Sequence, residues 1–265
     1  MPHIAAPITT LTGALWVQVG DYALSLYPFI DGRAAGEVGL SDDHWRALGA
    51  AFKQVHTKQL PPDLQQLVPR EPFVPNGRHL ISDLESVIAG AGHASSDPIQ
   101  QDLAAFWHAR HHDIHRVVER TDTLGDHLRR TSPPPSLALC HADLHTWNIM
   151  LDTAGQMWVV DWDETILALK ERDLMYVVGG LRSGLVSPRQ TACFLEGYGA
   201  AAIDPLALTY YRYGVAVQDM AANGERVLFL PDLAPEIRRA AVDGFMDLFR
   251  PGRIVEMAFA SDDGA

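Results

Sequence analysis

The sequence is poor in cysteine, with two in 265 residues. Cys140 and Cys193 stand in neither a CxxC nor a Cys/His zinc spacing. This pattern excludes a disulfide-stapled small domain and the usual structural zinc site. We therefore expect both thiols to be reduced and buried, as in a cytoplasmic protein.

The sequence also lacks long apolar runs and an N-terminal targeting pattern. Its first ten residues, MPHIAAPITT, show no basic stretch followed by an apolar one, so no signal peptide is predicted. No apolar run is long enough to span a bilayer, so we expect no membrane partner.

Basic residues are the minority charge, with 21 Lys and Arg against 33 Asp and Glu and a net charge of −12. A protein that binds the phosphates of nucleic acid is normally basic, so no nucleic-acid partner is expected. The acidity is compatible with attracting a cationic small molecule, although it more often serves solubility alone. The length allows one large domain or two small ones.

Strand patterns are scarce. Residues 11–30 alternate around the turn pair Gly20-Asp21 and predict a β-hairpin, and residues 30–37 (IDGRAAGE) predict a polar linker. A second hairpin is predicted from residues 148–151 and 157–161, which flank a turn at 152–155.

The remaining sequence predicts helices from their start signals. Ser41 is an expected N-cap, followed by Trp45, Leu48 and Phe52 at helical spacing. Ser82 and Glu85 form a capping-box pattern. Three further helices are predicted where a capping residue precedes proline: Asp97-Pro98, Ser187-Pro188 and Asp204-Pro205. The first of these is expected to run to about residue 120.

A polar cluster brackets the second hairpin. Asn148 starts one strand and Asp161 ends the other, so pairing of the strands should bring the two side chains close together. Amide and carboxylate oxygens suit Mg²⁺, which completes its shell with water and phosphate. Asp143, five residues upstream, is placed to accept a proton from a hydroxyl that attacks a metal-bound phosphate.

The segment His141-Ala-Asp143-Leu-His-Thr-Trp-Asn148, followed by Asp161-Trp-Asp163, resembles the catalytic loop and metal motif of the aminoglycoside phosphotransferase family. That family is similar in fold to protein kinases and includes small-molecule kinases for choline, homoserine and methylthioribose. The KERDL step at 170–174 is most similar to the spectinomycin-phosphotransferase branch. The likeness covers most of residues 11–220.

The resemblance implies an α+β, protein-kinase-like fold. Residues 1–30 would be a remnant of the N-terminal β lobe with the hinge, and residues 31–265 a mainly helical catalytic and substrate-binding lobe. It also implies ATP and Mg²⁺ as cofactors and phosphate transfer to a hydroxyl of a small polar or cationic molecule, similar to an aminoglycoside or aminocyclitol.

Roles for individual residues follow from the same resemblance. Asp143 would be the catalytic base, and Asn148 and Asp161 the Mg²⁺ ligands, with Asp163 as a further ligand or a neighbour of the ligands. The hinge-like segment Tyr27–Gly32 would hold the adenine. The other expected roles are adenine binding by Pro28, Phe29 and Ile30, bracing of the loop by His141, bracing or capping of a helix starting at Leu174 by Asp173, and contact with a cationic substrate by Asp219 and Glu225.

The sequence departs from that family before the hinge. Relatives grip the ATP phosphates with a glycine-containing loop, a Lys and a Glu-bearing helix. Residues 1–10 are too few for these parts, since three strands and a helix need about 30 residues, and Lys53 and Lys58 come after the hinge. A relative that binds a ligand or partner without efficient transfer is therefore the alternative.

Two further patterns remain open. The first hairpin would lack sheet partners, so either a second copy covers it in a homodimer or it is poorly ordered. Residues 159–165 (VVDWDET) also fit the nucleophile motif of haloacid-dehalogenase-like phosphatases, in which Asp161 would be phosphorylated. A stripe on the third helix, either a solvated face or a Zn²⁺ or Ni²⁺ site, consists of His108, His111, His112 and His115.

Overall fold

The computed structural model describes residues 3–91, 96–200 and 202–262. Within these ranges the strands are β1 His3–Ile4, β2 Val17–Val19, β3 Tyr22–Leu24, β4 Gly32–Ala34, β5 Ala138–Cys140, β6 Ile149–Asp152, β7 Met157–Val159 and β8 Ile166–Ala168. The helices are α1 Ala35–Val38, α2 Asp42–Thr57, α3 Pro62–Gln65, α4 Arg78–Ala91, α5 Pro98–Arg130, α6 Glu171–Leu174, α7 Pro188–Tyr198, α8 Pro205–Leu228, α9 Pro235–Asp247 and α10 Ile254–Asp262. Helices dominate and strands are short, which confirms the α+β class.

The described residues fall into two compact units. Those within 1–69, 138–166 and 187–201 make up unit 1, which holds strands β1 to β7 with helices α1, α2, α3 and α7. Those within 70–137, 167–186 and 202–265 make up unit 2, which holds α4, α5, α6, α8, α9 and α10.

The second predicted hairpin is confirmed and forms the centre of a four-stranded sheet in unit 1. Its strands β6 and β7 pair antiparallel, with Ile149 opposite Val159, and the sheet order is β1-β7-β6-β4. Asp152 closes the turn, since its Oδ1 accepts from the backbone N–H groups of Ala154 and Gln156. An Asx turn of this kind fixes the register of the hairpin.

The prediction of a linker at residues 30–37 is wrong. This segment instead contributes to the strand β4, which pairs antiparallel with β6, and to the helical turn α1. Gly32 permits this approach, because a Cβ there would lie 2.2 Å from the carbonyl oxygen of Leu151. The sequence did not predict this strand, because three residues are too few to show the alternation of apolar and polar side chains that indicates a strand.

The first predicted hairpin is also confirmed. β2 and β3 pair around Gly20-Asp21, with Val17 opposite Leu24 and Val19 opposite Tyr22. Within the described part of the chain the two strands make a sheet of their own, and each of their residues is exposed.

The crossing of α2 and α7 forms the helical core of unit 1. Ser41 caps α2 as predicted, in a reciprocal capping box with His44, and Trp45, Leu48 and Phe52 are buried. Gly49 lets the two helices approach closely, because a Cβ at this position would lie 2.0 Å from the Phe194 carbonyl oxygen.

Unit 2 is built around α8. Helices α4, α5, α6, α9 and α10 all contact α8, whose Tyr210, Tyr211 and Tyr213 are buried as packing residues. The hydroxyl of Tyr211 accepts from the N–H of Leu169 at 3.2 Å, and that of Tyr213 donates to Asp262 at 2.7 Å. In the part of the chain that the structure describes, no helix has both the length and the hydropathy to cross a membrane.

Most of the predicted helix starts are confirmed. Asp97, Ser187 and Asp204 are N-caps as expected, although α5 continues to Arg130, beyond the predicted end near residue 120. The prediction that a helix begins at Ser82 is wrong. The helix α4 begins at Arg78, after Gly77 at φ 73°, and the carbonyl of Ser82 accepts a hydrogen bond from Ser86 within the helix.

We expect Gly49→Ala to lower the free energy of unfolding by about 1–3 kcal/mol, because the added methyl group collides with backbone atoms of α7. Gly90→Ala is the matched control, since nothing lies within 4 Å of its Cβ position on α4. That change should be neutral or raise stability by up to about 1 kcal/mol. Urea unfolding of both variants measures the difference, and equal stability would contradict the close helix crossing.

Candidate active site

The structure brings Asp143 and Asn148 into direct contact. The Nδ2 group of Asn148 donates to Oδ2 of Asp143 at 2.9 Å and to the backbone carbonyl of Asp143 at 2.9 Å. An amide nitrogen has two N–H groups, so both are engaged by the loop. Oδ1 is then the atom of the buried Asn148 that is suited to meet a cation.

His145 is a second partner of Asp143. Its Nε2 lies 3.3 Å from Oδ2 of Asp143, and both side chains are about one-third exposed. The hydrogen bond that His145 donates to Asp143 raises the pKa of His145, burial opposes the rise, and the charges of Asp143 and Asp161 add to it. The pair thus fixes the orientation of the Asp143 carboxylate.

His141 ties the loop to the strand end that follows β7. It is fully buried, its Nε2 lies 2.9 Å from the carbonyl oxygen of Val160, and its Nδ1 accepts from the N–H of Asp143 at 3.2 Å. These partners require the neutral tautomer with hydrogen on Nε2. A ring that spans both segments holds the distance between Asp143 and the residues after β7.

Strained backbone marks both segments of the site. Among the described residues, the non-glycine positions with positive φ are Phe73, Ala142 at 69° and Asp161 at 64°. Two of these three adjoin or belong to the cluster, and such conformations persist where surrounding contacts determine them. The N–H of Val160 donates to the carbonyl of Asn148 at 3.0 Å, which places Asp161 next to the end of the β6–β7 pairing.

Trp162 anchors the turn that carries the two carboxylates Asp161 and Asp163. Its ring stacks on Phe52 with centroids 6.3 Å apart and lies 4.6 Å from the ring of His141. Its Nε1 donates to the carbonyl of Val159 at 3.2 Å. With the half-buried Trp162 held by these contacts, the flanking Asp161 and Asp163 are exposed.

A cleft of about 790 Å³ in unit 1 connects the predicted nucleotide and metal residues. One wall consists of residues 27–30, which include Pro28, Phe29 and Ile30, and another contains Met150, Val160, Asp161 and Asp163. Residues 4–7, which follow β1, complete the lining. The volume is that of a small-molecule site, and its mostly apolar walls suit a flat ring system.

The donor set of this cleft fits Mg²⁺. Two exposed carboxylates, Asp161 and Asp163, line the cleft and are hard oxygen donors. The buried Asn148, whose carbonyl accepts from the N–H of the cleft residue Val160, would add its amide oxygen to this set. A site with few protein oxygens leaves positions for water and phosphate, as Mg²⁺ prefers.

The remaining predicted residues lie in unit 2. Asp173 is fully buried inside α6, so the helix expected to begin at Leu174 instead ends there. At the start of the same helix, Nζ of Lys170 lies 2.6 Å from Oε1 of Glu171, so these two side chains form an ion pair. Asp219 and Glu225 are half-buried on α8. The roles proposed for Asp173, Asp219 and Glu225 stay predictions.

Sequence reasoning missed two parts of the site. It treated His145 only as a possible core residue, although its position two residues after Asp143 was a usable signal. It also missed residues 4–7 as part of the cleft wall, and their short apolar pattern gives no such signal. No Lys or Arg precedes Arg33 in the sequence.

Comparison with protein families finds that residues 2–211 match the model described as the phosphotransferase enzyme family. Comparison with curated proteins gave no match.

Among solved structures, the chain is similar to spectinomycin phosphotransferase in complex with ADP and spectinomycin, with a TM-score of 0.85 and 29% identity over 99% of this chain and 78% of that one. The AMP-bound complex of spectinomycin phosphotransferase gives a TM-score of 0.83 and 30% identity over 98% and 79%. An aminoglycoside phosphotransferase from Alicyclobacillus acidocaldarius, with a TM-score of 0.58 and 16% identity over 98% and 76%, shares the fold. These neighbours confirm the protein-kinase-like fold.

We expect Asp143→Asn to lower the pKa of His145 toward its ordinary value of 6.5, because the hydrogen-bonding carboxylate is lost. In the folded wild type the pKa of His145 is raised, so its pairing with Asp143 stabilises the fold fully below pH 6.5. This contribution to folding stability disappears as the pH rises through the pKa of His145 in the folded state. NMR titration of the histidine rings measures the shift. Glu164→Gln, an exposed carboxylate beside Asp163, should leave His145 unchanged, and an unmoved pKa in Asp143→Asn would refute the pairing.

Proposed function

We propose that this chain, which belongs to the phosphotransferase enzyme family, transfers the γ-phosphate of ATP to a hydroxyl of a small polar or cationic molecule. The observation that carries the proposal is the Asp143–Asn148 contact at 2.9 Å beside a cleft lined by Asp161, Asp163 and residues 27–30. A proton acceptor, a cation-binding set and an apolar ring site thus lie in one unit.

Asp143 is the proposed catalytic base. Hydrogen bonds from Asn148 and His145 hold its carboxylate in one orientation, so little rearrangement is needed when an acceptor hydroxyl arrives. The carboxylate accepts the hydroxyl proton as the oxygen attacks the γ-phosphate. His141 maintains the loop in the required position by bridging it to Val160.

Mg²⁺ would be held by Asn148 and Asp161, with Asp163 as a further ligand or a neighbour of the ligands. When bound, the ion supplies positive charge against the phosphates. The chain's own contribution is to present these oxygens from a strained turn that Trp162 anchors.

The proposed adenine site is the wall formed by Pro28, Phe29 and Ile30. Phe29 is 92% exposed, so a large apolar surface is available to a planar ring. The solved neighbours described with ADP and with AMP support a nucleotide in the corresponding cleft.

The proposed acceptor is an aminoglycoside- or aminocyclitol-like molecule, since one neighbour is described with spectinomycin. A net charge of −12 favours a cationic molecule on approach. Asp219 and Glu225 remain our candidates for pairing with its amino groups. ATP as donor and two buried cysteines outside any disulfide both fit a reaction in the cytoplasm.

We also propose that residues 1–30 act as the remnant N-terminal lobe and hinge, with catalysis and acceptor binding in residues 31–265. The alternative is a relative that binds a ligand or partner without efficient transfer.

The dehalogenase-like phosphatase hypothesis does not fit the chain. That fold needs strands alternating with helices after the DxDxT motif. Among the described residues beyond Ala168, only helices follow, and His141 to Asn148 would have no role.

We propose that a second copy of this chain packs on the first hairpin and forms a homodimer. Val17, Val19, Tyr22 and Leu24 share one face of the ribbon, because directly opposite residues and alternate residues point to the same side. Each of the four is at least half exposed. A second copy of this chain presents an identical apolar face, so the same ribbon can cover both.

We expect Asp143→Asn to lower kcat for Mg-ATP-dependent phosphorylation by about 10²- to 10⁴-fold, because the proton acceptor is lost. Asp161→Asn should also lower turnover and weaken Mg-ATP binding measured by calorimetry. Glu164→Gln is the matched control and should keep wild-type activity. Nucleotide binding without turnover in the wild type, or turnover indifferent to Asp143, would favour the non-catalytic alternative.

We expect the wild-type chain to dimerise with increasing concentration in sedimentation velocity experiments, whereas Val19→Lys should remain monomeric. A lysine on the shared apolar face places a charge in the contact. Gln18→Lys puts the same charge on the opposite face and should leave dimerisation intact. A wild-type protein that is monomeric at every concentration would rule out this cover.

A further inference from the structure

A cluster of side chains in unit 2 has the composition of a transition-metal site. Glu85 of α4 and His111 and His115 of α5 each offer one ligand atom, and these atoms lie within 4.8 Å of one another. The Nε2 atoms of His115 and His111 lie 2.7 Å and 3.3 Å from the same atom, Oε1 of Glu85. Ring nitrogens from successive turns of one helix thus converge on a carboxylate of another.

From this convergence we propose that unit 2 binds one Zn²⁺ between α4 and α5 through His111, His115 and Glu85. Two imidazole nitrogens and one carboxylate oxygen are an established donor set for zinc, which keeps its fourth position for water or another ligand. Histidines four residues apart on one helix face present their rings to the same ion. The proposal is independent of the phosphotransfer function.

An ion pair between these histidines and Glu85 explains the cluster less well than a metal site does. The rings of His111 and His115 have centroids 4.1 Å apart, so protonating both would place two like charges side by side against one carboxylate. Two neutral imidazoles and a carboxylate around a divalent cation avoid that repulsion.

The packing of unit 2 organises the three ligands in advance. Both α4 and α5 contact α8, and the neighbours Leu84 and Ile114 are buried in the core. The separation of the two helices is therefore set by packing, and only side-chain rotation remains for metal binding.

Space for a fourth ligand lies beside the cluster. Glu85 and His115 line a cavity of about 230 Å³, which also contains Arg78 and Asp122. Arg78 is paired with Asp122 at 2.7 Å, so its positive charge is balanced and opposes a metal ion less. A zinc-bound water fits such a cavity.

The test is calorimetric titration of ZnCl₂ into the untagged, chelator-treated chain without nucleotide. We expect one saturable equivalent, with affinity falling at least about 10-fold in Glu85→Ala, His111→Ala and His115→Ala, since each removes a ligand. His108→Ala, from the same histidine stripe but outside the cluster, should bind like the wild type. Asp161→Asn should also bind like the wild type, which separates this site from the cleft.

Thermal unfolding gives a second readout. Zn²⁺ should raise the Tm of the wild type and His108→Ala but not that of the three ligand variants, because only a correctly built site favours the folded state. Co²⁺ in place of Zn²⁺ should give the intense visible absorption of four-coordination in the wild type, a result that does not depend on any variant folding. Equal losses in His108→Ala, the absence of a one-equivalent site, or a weak six-coordinate Co²⁺ spectrum would overturn the proposal.

Discussion

The pairing of β6 with β7 is the constraint on which the cleft depends. It sets Asn148 at the start of one strand opposite the residues that lead into Asp161, and the Asx turn of Asp152 fixes this register. A slip of one residue would turn every side chain of the hairpin to the other face. Asn148 would then point away from Asp143, and the loop at 141–148 would lose both of its amide donations.

Three contacts convert that register into a site. His141 bridges the loop to Val160, Trp162 stacks on Phe52, and Asn148 closes on Asp143. Together they hold Ala142 and Asp161 at positive φ, conformations that cost of order 1–3 kcal/mol each in a non-glycine residue. Core packing on α2 therefore offsets strain in the loop, and the polar groups are positioned by an apolar framework.

The sequence predicted the local parts of this architecture well, because hairpins, caps and the polar cluster depend on residues close in sequence. The start of α5 at Asp97 and the turn at Gly20-Asp21 are examples. It failed where distant segments meet. The strand β4 exists only because Gly32 can approach β6, and no periodicity within three residues could show this. The approach of Glu85 to the α5 histidines was equally hidden, since 30 positions separate it from His115.

Charge balance links the cleft to what it would bind. Asp143, Asp161 and Asp163 place three carboxylates in unit 1, near the ends of the β6–β7 hairpin. Within this cluster the hydrogen bond to Asp143 raises the pKa of His145, the charges of Asp143 and Asp161 add to the rise, and burial opposes it. Even a protonated His145 would balance only one of the three carboxylates, so a bound phosphate would require further positive charge. In the function that we propose, a divalent cation held by Asn148, Asp161 and Asp163 would supply that charge, and a cationic acceptor would add to it.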